Sequence, residues 1–557
     1  MTTPSPGIAR PLTSLPLWLA AMALSGSPRT QDAIDARAEP SVRYVDSERA
    51  QREARLTALS TARLGPRMGY RLSVEDQGKV YRIAVRTEVL APGDLCFVMP
   101  SWAPGSYHLG RQRKLDGLRA RDGQGASRVP EALEDRNVWT LKNAPEGELL
   151  IEYSLSARRF RRGRRSRDKP CQQFDGPSVW MHEIRHKDLP CDVEVRLPEA
   201  WDIATGLDAR EGTLGGMVKP GTWSFRAADY DVLIDCPTRM GFFESFGFKI
   251  GNTPFEIAIC GAERDRTDRN EFGERVKRIS EHFIEMFGGA PFERYVYLFT
   301  VPGGGGLEHL NSTAIGMMGL AGSKPGKPVL WDFVIAHEFF HAWNVKRLRP
   351  HALGPFDYSG PNRTTALWLS EGVTSYYGAL ALARIGLCSP RGYWRHIARK
   401  YSQLRRNPVR REISVADSSW KVWDGSPFLN RKRIDYYLKG ECLGLLLDIE
   451  IRGATGNEKS LDDVMRALFE QCRRDGRGFL ENDVRETCNR VSGIDLGTFF
   501  DKYVYGTEDL PVRATLGRAG LSVELKGEGR KARFTIEEDD NASGLALSIR
   551  RALLGKD

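Results

Sequence analysis

His337, Glu338 and His341 stand in the run WDFVIAHEFFHAWNVKRLR, residues 331–349. Two histidines four apart on an α-helix differ by about 40° of rotation and one turn of rise. Both imidazoles therefore leave one face, close enough to share a metal ion. Glu338 sits beside them, where it can take the proton of a water held by that ion. Trp331, Phe333, Val334, Ile335, Phe339, Phe340 and Trp343 are apolar nearly all round the pair. That pattern predicts a buried helix, and a buried helix fixes its ligands rigidly.

A zinc site that does chemistry wants three protein ligands and one open position. The apolar run ALWLSEGVTSYY, 366–377, offers Glu371 from a second helix. A lone buried carboxylate is costly unless paired or bound to metal, so Glu371 is the expected third ligand. His309, His351 and Asp357 are weaker alternatives, because they fall on expected loops. Ahead of the helix lies GGGGLEHLNST, 303–313. Its glycines let an edge backbone approach a peptide closely. No G-K-[ST] follows, so the run is not a phosphate-binding loop.

These residues carry a family resemblance. HEFFHAWNVKRLRP, PFDYS and LWLSEGVTSYYGAL, with WAPGSY upstream and FFDKYVYGTEDLP downstream, resemble the glycyl aminopeptidase family of zinc metallopeptidases. The resemblance covers about residues 68–515. It implies a thermolysin-like domain with one Zn2+ per chain on His337, His341 and Glu371, and Glu338 as general base. The Gly-rich run is similar to the Gly-x-Met-Glu-Asn strand of the aminopeptidase N family, whose Glu binds the substrate α-amine. Glu308 takes that place, and Gly305 and Gly306 belong to the peptide-binding edge. Tyr436-Tyr437-Leu438-Lys439-Gly440 is similar to the Tyr-x-Lys-Gly segment of those enzymes, whose tyrosine donates to the oxyanion. Tyr437 matches by position, with Tyr436 beside it as the alternative.

The function so implied is a zinc-dependent aminopeptidase that hydrolyses N-terminal peptide bonds after Gly or Ala. A zinc endopeptidase on unfolded chains is the first alternative. A non-catalytic peptide-binding protein on a peptidase scaffold is the second. The expected partner is a peptide with a free N-terminus. The net charge of +10 brings no nucleic-acid motif with it and reads as a solvated surface. The nine cysteines are odd in number, and no C-x-x-C occurs, which excludes a disulfide framework and a cysteine zinc site.

At 557 residues the chain is too long for one core, and its pattern is α+β multidomain. Residues 1–67 read as a signal-like segment and linker. The apolar stretch 15–24 follows Arg10 and is too short and Pro-interrupted to span a membrane. The expected location is periplasmic or secreted, with cytoplasmic as the alternative. Alternation in VYRIAVRTEV, 80–89, and VEVRL, 193–197, predicts an N-terminal β-sandwich-like domain over 68–240. Its basic run, 158–167, reads as a solvated hairpin tip. The thermolysin-like catalytic domain is expected over 241–390, with a helix at 269–287. A helical C-terminal domain follows over 391–512. Residues 513–557 read as a short β tail, a truncated remnant of the PDZ domain that relatives carry.

Overall fold

Alternating side chains build the N-terminal half around two packed sheets, with a further three-stranded sheet of Cys171–Phe174, Thr238–Gly241 and Asp202–Thr205. Val80–Ala91 pairs antiparallel with both Met68–Glu75 and Gly147–Ser156. Cys191–Arg196 runs parallel to Met68–Glu75 on its other side. These strands form the middle of a ten-stranded sheet. Leu95, Phe97, Trp139 and Leu141 of a four-stranded sheet meet Leu72, Ile83, Val85 and Ile151 of the large one in a single core. Side chains with a period of two bury one face of each strand, so the β-sandwich-like layering follows from the pattern.

The structure is a computed structural model that describes residues 46–110, 114–135, 137–160, 162, 170–213, 215–262, 265–321, 330–425, 433–542 and 544–556. The signal-like stretch 15–24 lies outside them. So does the basic run, apart from residues 158–160 and 162. No helix among the described residues is long and apolar enough to cross a membrane. All nine cysteines are buried, and none forms a disulfide among the described residues.

The second half is built on a five-stranded sheet. Its order is Glu244–Ile250, Thr253–Cys260, Tyr295–Thr300, Ser312–Gly316 and Gly306–Glu308. The three inner neighbours run parallel, and Gly306–Glu308 closes the edge antiparallel to Ser312–Gly316. Helix Arg269–Phe287 packs on the sheet through Phe272, Val276, Ile279 and Phe283, the period its sequence predicts. Asp268 caps its start through the Asn270 amide, and Gly288 ends it in a left-handed conformation.

Helix Leu330–Phe340 lies against the sheet and against helix Thr374–Arg384. Behind them run Tyr436–Ala454, Leu461–Asp475 and Glu481–Ser492. Farther along, a short α-turn, Gly497–Phe499, widens into a π-turn, Phe500–Val504. One apolar core joins the sheet, these helices and the C-terminal tail. The tail is a hairpin, Leu521–Lys526 and Arg533–Glu538, followed by helix Gly544–Leu553. It packs on the helices, with Ser402 Oγ accepting from the Phe534 amide at 2.8 Å. Ile549 and Leu553 are buried in the same core.

Candidate active site

Helix Leu330–Phe340 and the turn that continues it carry His337, Glu338 and His341. The backbone bond from His341 N to His337 O, at 3.4 Å, keeps the helical spacing through His341. Glu371 comes from a π-helical turn, Trp368–Val373, which leads into helix Thr374–Arg384. A π-turn inserts one residue and re-aims a side chain, which is why such turns recur at functional sites.

Two glycines set where this turn sits. A Cβ on Gly372 would collide with Gly440 Cα, and one on Gly440 would collide with the Trp368 carbonyl. The turn and helix Tyr436–Ala454 therefore touch backbone to backbone. This crossing brings Tyr437 to His337, with ring centroids 6.1 Å apart. Asn344 ties the helix exit to the turn, donating to the Leu369 carbonyl at 2.9 Å and to Thr374 Oγ1 at 3.0 Å.

The ligand atoms of His337, His341 and Glu371 lie within 4.8 Å of one another. The two Nε2 atoms are 3.1 Å apart, and Glu371 Oε2 is 3.6 Å from His337 Nε2 and 3.3 Å from His341 Nε2. His341 Nδ1 donates to the Asn344 carbonyl at 2.6 Å. Ser375 Oγ spends its proton on the Glu371 carbonyl and so accepts from His337 Nδ1 at 3.3 Å. In its neutral form each imidazole thus carries its hydrogen on Nδ1 and turns the Nε2 lone pair towards Glu371. Two facing lone pairs and a buried carboxylate fit a cation and fit no purely apolar packing. Glu371 Oε1 is likewise buried without a hydrogen-bond partner. These residues can hold a metal ion in the two-histidine, one-glutamate manner.

A second group shares His341. Ligand atoms of Glu308, Glu338 and His341 also lie within 4.8 Å of one another. Glu308 ends the edge strand and is 3% exposed. Gly306 of the same strand faces Glu338, where any Cβ would meet the carboxylate. Gly305 stands at φ +82° with open space around it.

The charges of the site follow from burial and from this crowding. Burial pushes the Glu338 carboxyl well up; Glu308 and Glu371 push the same way, against His341. Burial also raises Glu308, against the nearby His341 and Lys346. For His341 burial alone lowers the pKa, but Glu371, Glu308 and Glu338 outweigh it and hold it at about 9. For Glu371 burial is outweighed by His341 and His337, which hold it below the usual carboxylate range. Burial, then Glu371, keeps the Tyr437 phenol protonated well beyond its ordinary range.

The alternative ligands go elsewhere. His309 Nδ1 bonds Asp235 at 3.0 Å, His351 is exposed, and Asp357 pairs with Arg52 at 2.5 Å. Sequence reasoning missed the contribution of the N-terminal half. The WAPGSY turn, 102–107, reaches the site: an ideal Cβ on Gly105 would stand 2.5 Å from Glu308 Oε1. Asn344 and Ser375, which orient the imidazoles, lie inside quoted motifs but had no role assigned. A small polar residue four positions after Glu371 was the available signal for Ser375.

The comparisons agree with this architecture. The M61 glycyl aminopeptidase family matches residues 332–443, and the peptidase M61 N-terminal domain matches residues 69–242. No curated protein matches the sequence. The crystal structure of an aminopeptidase N family protein from Idiomarina loihiensis is similar, with a TM-score of 0.74 and 25% identity. The match covers 82% of this chain and 79% of that one. With both M61 regions in order along the sequence, the chain belongs to the M61 glycyl aminopeptidase family and is a peptidase.

Proposed function

We propose that the chain is a zinc-dependent aminopeptidase that hydrolyses the first peptide bond of substrates with a free α-amine. The observation that carries this reading is that His341 belongs to two groups at once, one able to hold a metal and one containing Glu308. A buried carboxylate with an oxygen within 4.8 Å of a His341 ring nitrogen pairs an ammonium and excludes a blocked N-terminus.

His337, His341 and Glu371 would hold the zinc ion, which supplies Lewis acidity towards the scissile carbonyl and lowers the pKa of a water. Glu338, with its raised pKa, accepts the proton of the attacking water and returns it to the leaving amine. Tyr437 remains a neutral phenol and donates to the developing oxyanion. Glu308 anchors the α-amine, and the edge strand offers backbone groups to the peptide beyond it. Gly or Ala at the N-terminus is the preference that family membership favours.

The test compares hydrolysis of an Ala-initiated peptide, free and N-acetylated, by zinc-loaded protein. Cleavage of the free peptide alone is expected. Equal cleavage of both would remove the anchor role of Glu308 and make the protein an endopeptidase. Stoichiometric zinc without cleavage of either would favour a peptide-binding protein.

A further inference from the structure

We propose that Tyr107, supplied by the N-terminal half, is the residue that restricts the substrate's first side chain to a small one. The inference rests on Glu308 as the amine anchor and deepens that reading.

Tyr107 borders both the site and a cavity. Its hydroxyl lies beside the Glu371 carboxylate without a hydrogen bond of ordinary geometry. Burial, then Glu371 and Glu308, pushes its pKa well up, so both carboxylates are near. Tyr107 in turn contributes to the raised pKa of Tyr437. Tyr107 also lines a cavity of about 40 Å³, together with Trp102, Pro104, Gly105, Lys346 and Phe356. That space exceeds what one water needs.

The substrate geometry follows from the two anchors. With the amine on Glu308 and the scissile carbonyl at the His337, His341 and Glu371 group, the first Cα must lie between them. Its side chain then projects where the Tyr107 ring stands. A hydrogen or a methyl group fits beside the ring; a longer chain meets it. Shortening Tyr107 would add its volume to the cavity it lines, and a longer chain would enter that space.

The ring cannot swing aside. Tyr107 is 5% exposed and packs edge-on against Trp423, with centroids 6.4 Å apart. Trp423 is itself wedged against Trp102 at 5.1 Å. Trp102 donates to the Asp357 carbonyl at 2.8 Å, and Trp423 to the Asn362 carbonyl at 3.2 Å. Aromatic packing across the two halves thus holds the wall in place.

The experiment measures kcat/KM for Ala-, Met- and Gln-initiated peptides with the zinc-loaded full chain and with Tyr107→Ala, Tyr107→Leu and Tyr107→Phe. The wild type should favour Ala over Met by about tenfold or more. The Ala and Leu variants should raise the Met-to-Ala ratio by about tenfold, while the Phe variant, which keeps the ring, leaves the ratio as it was. Calorimetric binding of L-alanine and L-methionine reads the same ratio without turnover. Wild-type protein that takes Met as readily as Ala overturns the proposal. So does an unmoved ratio in either shortened variant that folds. An N-acetylated arm keeps the two readings apart: equal cleavage there ends the role of Glu308, whereas the ratio judges Tyr107.

Discussion

Lys346, just past His341, donates a 2.8 Å hydrogen bond to Asp235 of the N-terminal half. The same carboxylate accepts from His309 Nδ1 at 3.0 Å and from the Leu310 amide at 2.8 Å. His309 follows Glu308 directly, so one buried acid ties the edge strand and the exit of the His337 helix to the β-rich half. Removing its charge leaves Lys346 buried without its salt-bridge partner. Asp235→Asn should therefore cost about 3–5 kcal/mol of unfolding free energy at neutral pH. Urea unfolding of the full chain measures this.

The pair also fixes a pH window. Burial alone would raise the Asp235 pKa, but Lys346 and His309 outweigh it and hold it at about 2. Because the folded pKa lies below the unfolded one, the stabilisation is complete above about pH 4 and is lost as pH falls towards 2. The contribution is about 2 kcal/mol. Glu441 is likewise held at about 2, against the cost of burial, by His396 and Lys400, so it titrates in the same range. The difference between wild type and Asp235→Asn isolates Asp235: it should shrink between pH 4 and 2. A difference that stays constant through that window would falsify the linkage.

How far the site could be read in advance depended on whether the information was local. His337, Glu338 and His341 share one helix, and helical period alone places them on one face. Glu371 announced itself as a lone acid among apolar neighbours, and the alternation of Val80–Ala91 foretold a half-buried strand. What stayed hidden is set by contacts between distant segments. The π-turn at Trp368–Val373 and the Gly372–Gly440 crossing arise from backbone approach, for which an isolated glycine gives no direction. Gly105 and Tyr107 reach Glu308 and Glu371 across more than 200 residues of sequence, and no periodicity reports that. Helix Gly544–Leu553 was hidden for the same reason: its helical face buries Ile549 and Leu553 in a core assembled mainly from other segments.

Glu338 and Glu371 are both buried glutamates near the same histidines, and substitution should separate their roles. Glu338→Gln leaves His337, His341 and Glu371 intact, so bound metal per chain should stay as in the wild type. Its kcat should fall by about 10²–10⁴-fold through loss of the base. Glu371→Gln removes a ligand charge, and its metal affinity should fall beyond the about 10–100-fold that losing a ligand's hydrogen-bond partner costs. Metal content after dialysis, read beside initial rates, distinguishes the two. Loss of metal in Glu338→Gln would move Glu338 into the ligand set.

Tyr437 and Tyr436 are stacked neighbours at the start of one helix, with centroids 4.9 Å apart, and only one of them stacks on His337. Asp435 accepts from the Tyr437 amide at 2.9 Å and caps that helix, which fixes where both rings begin. Phenylalanine at either position keeps the ring and its stacking, so the change deletes one hydroxyl and little else. If Tyr437 donates to the oxyanion, Tyr437→Phe should lower kcat by about 10²–10³-fold with KM nearly unchanged, since the bond forms only as charge develops. Tyr436→Phe should lower it far less. A larger loss in Tyr436→Phe would exchange the two assignments, because the rings are close enough for a small turn of the helix to present either hydroxyl. Equal small losses in both would leave oxyanion stabilisation to other groups, and the raised pKa of Tyr437 would then reflect burial beside Glu371 rather than a catalytic task.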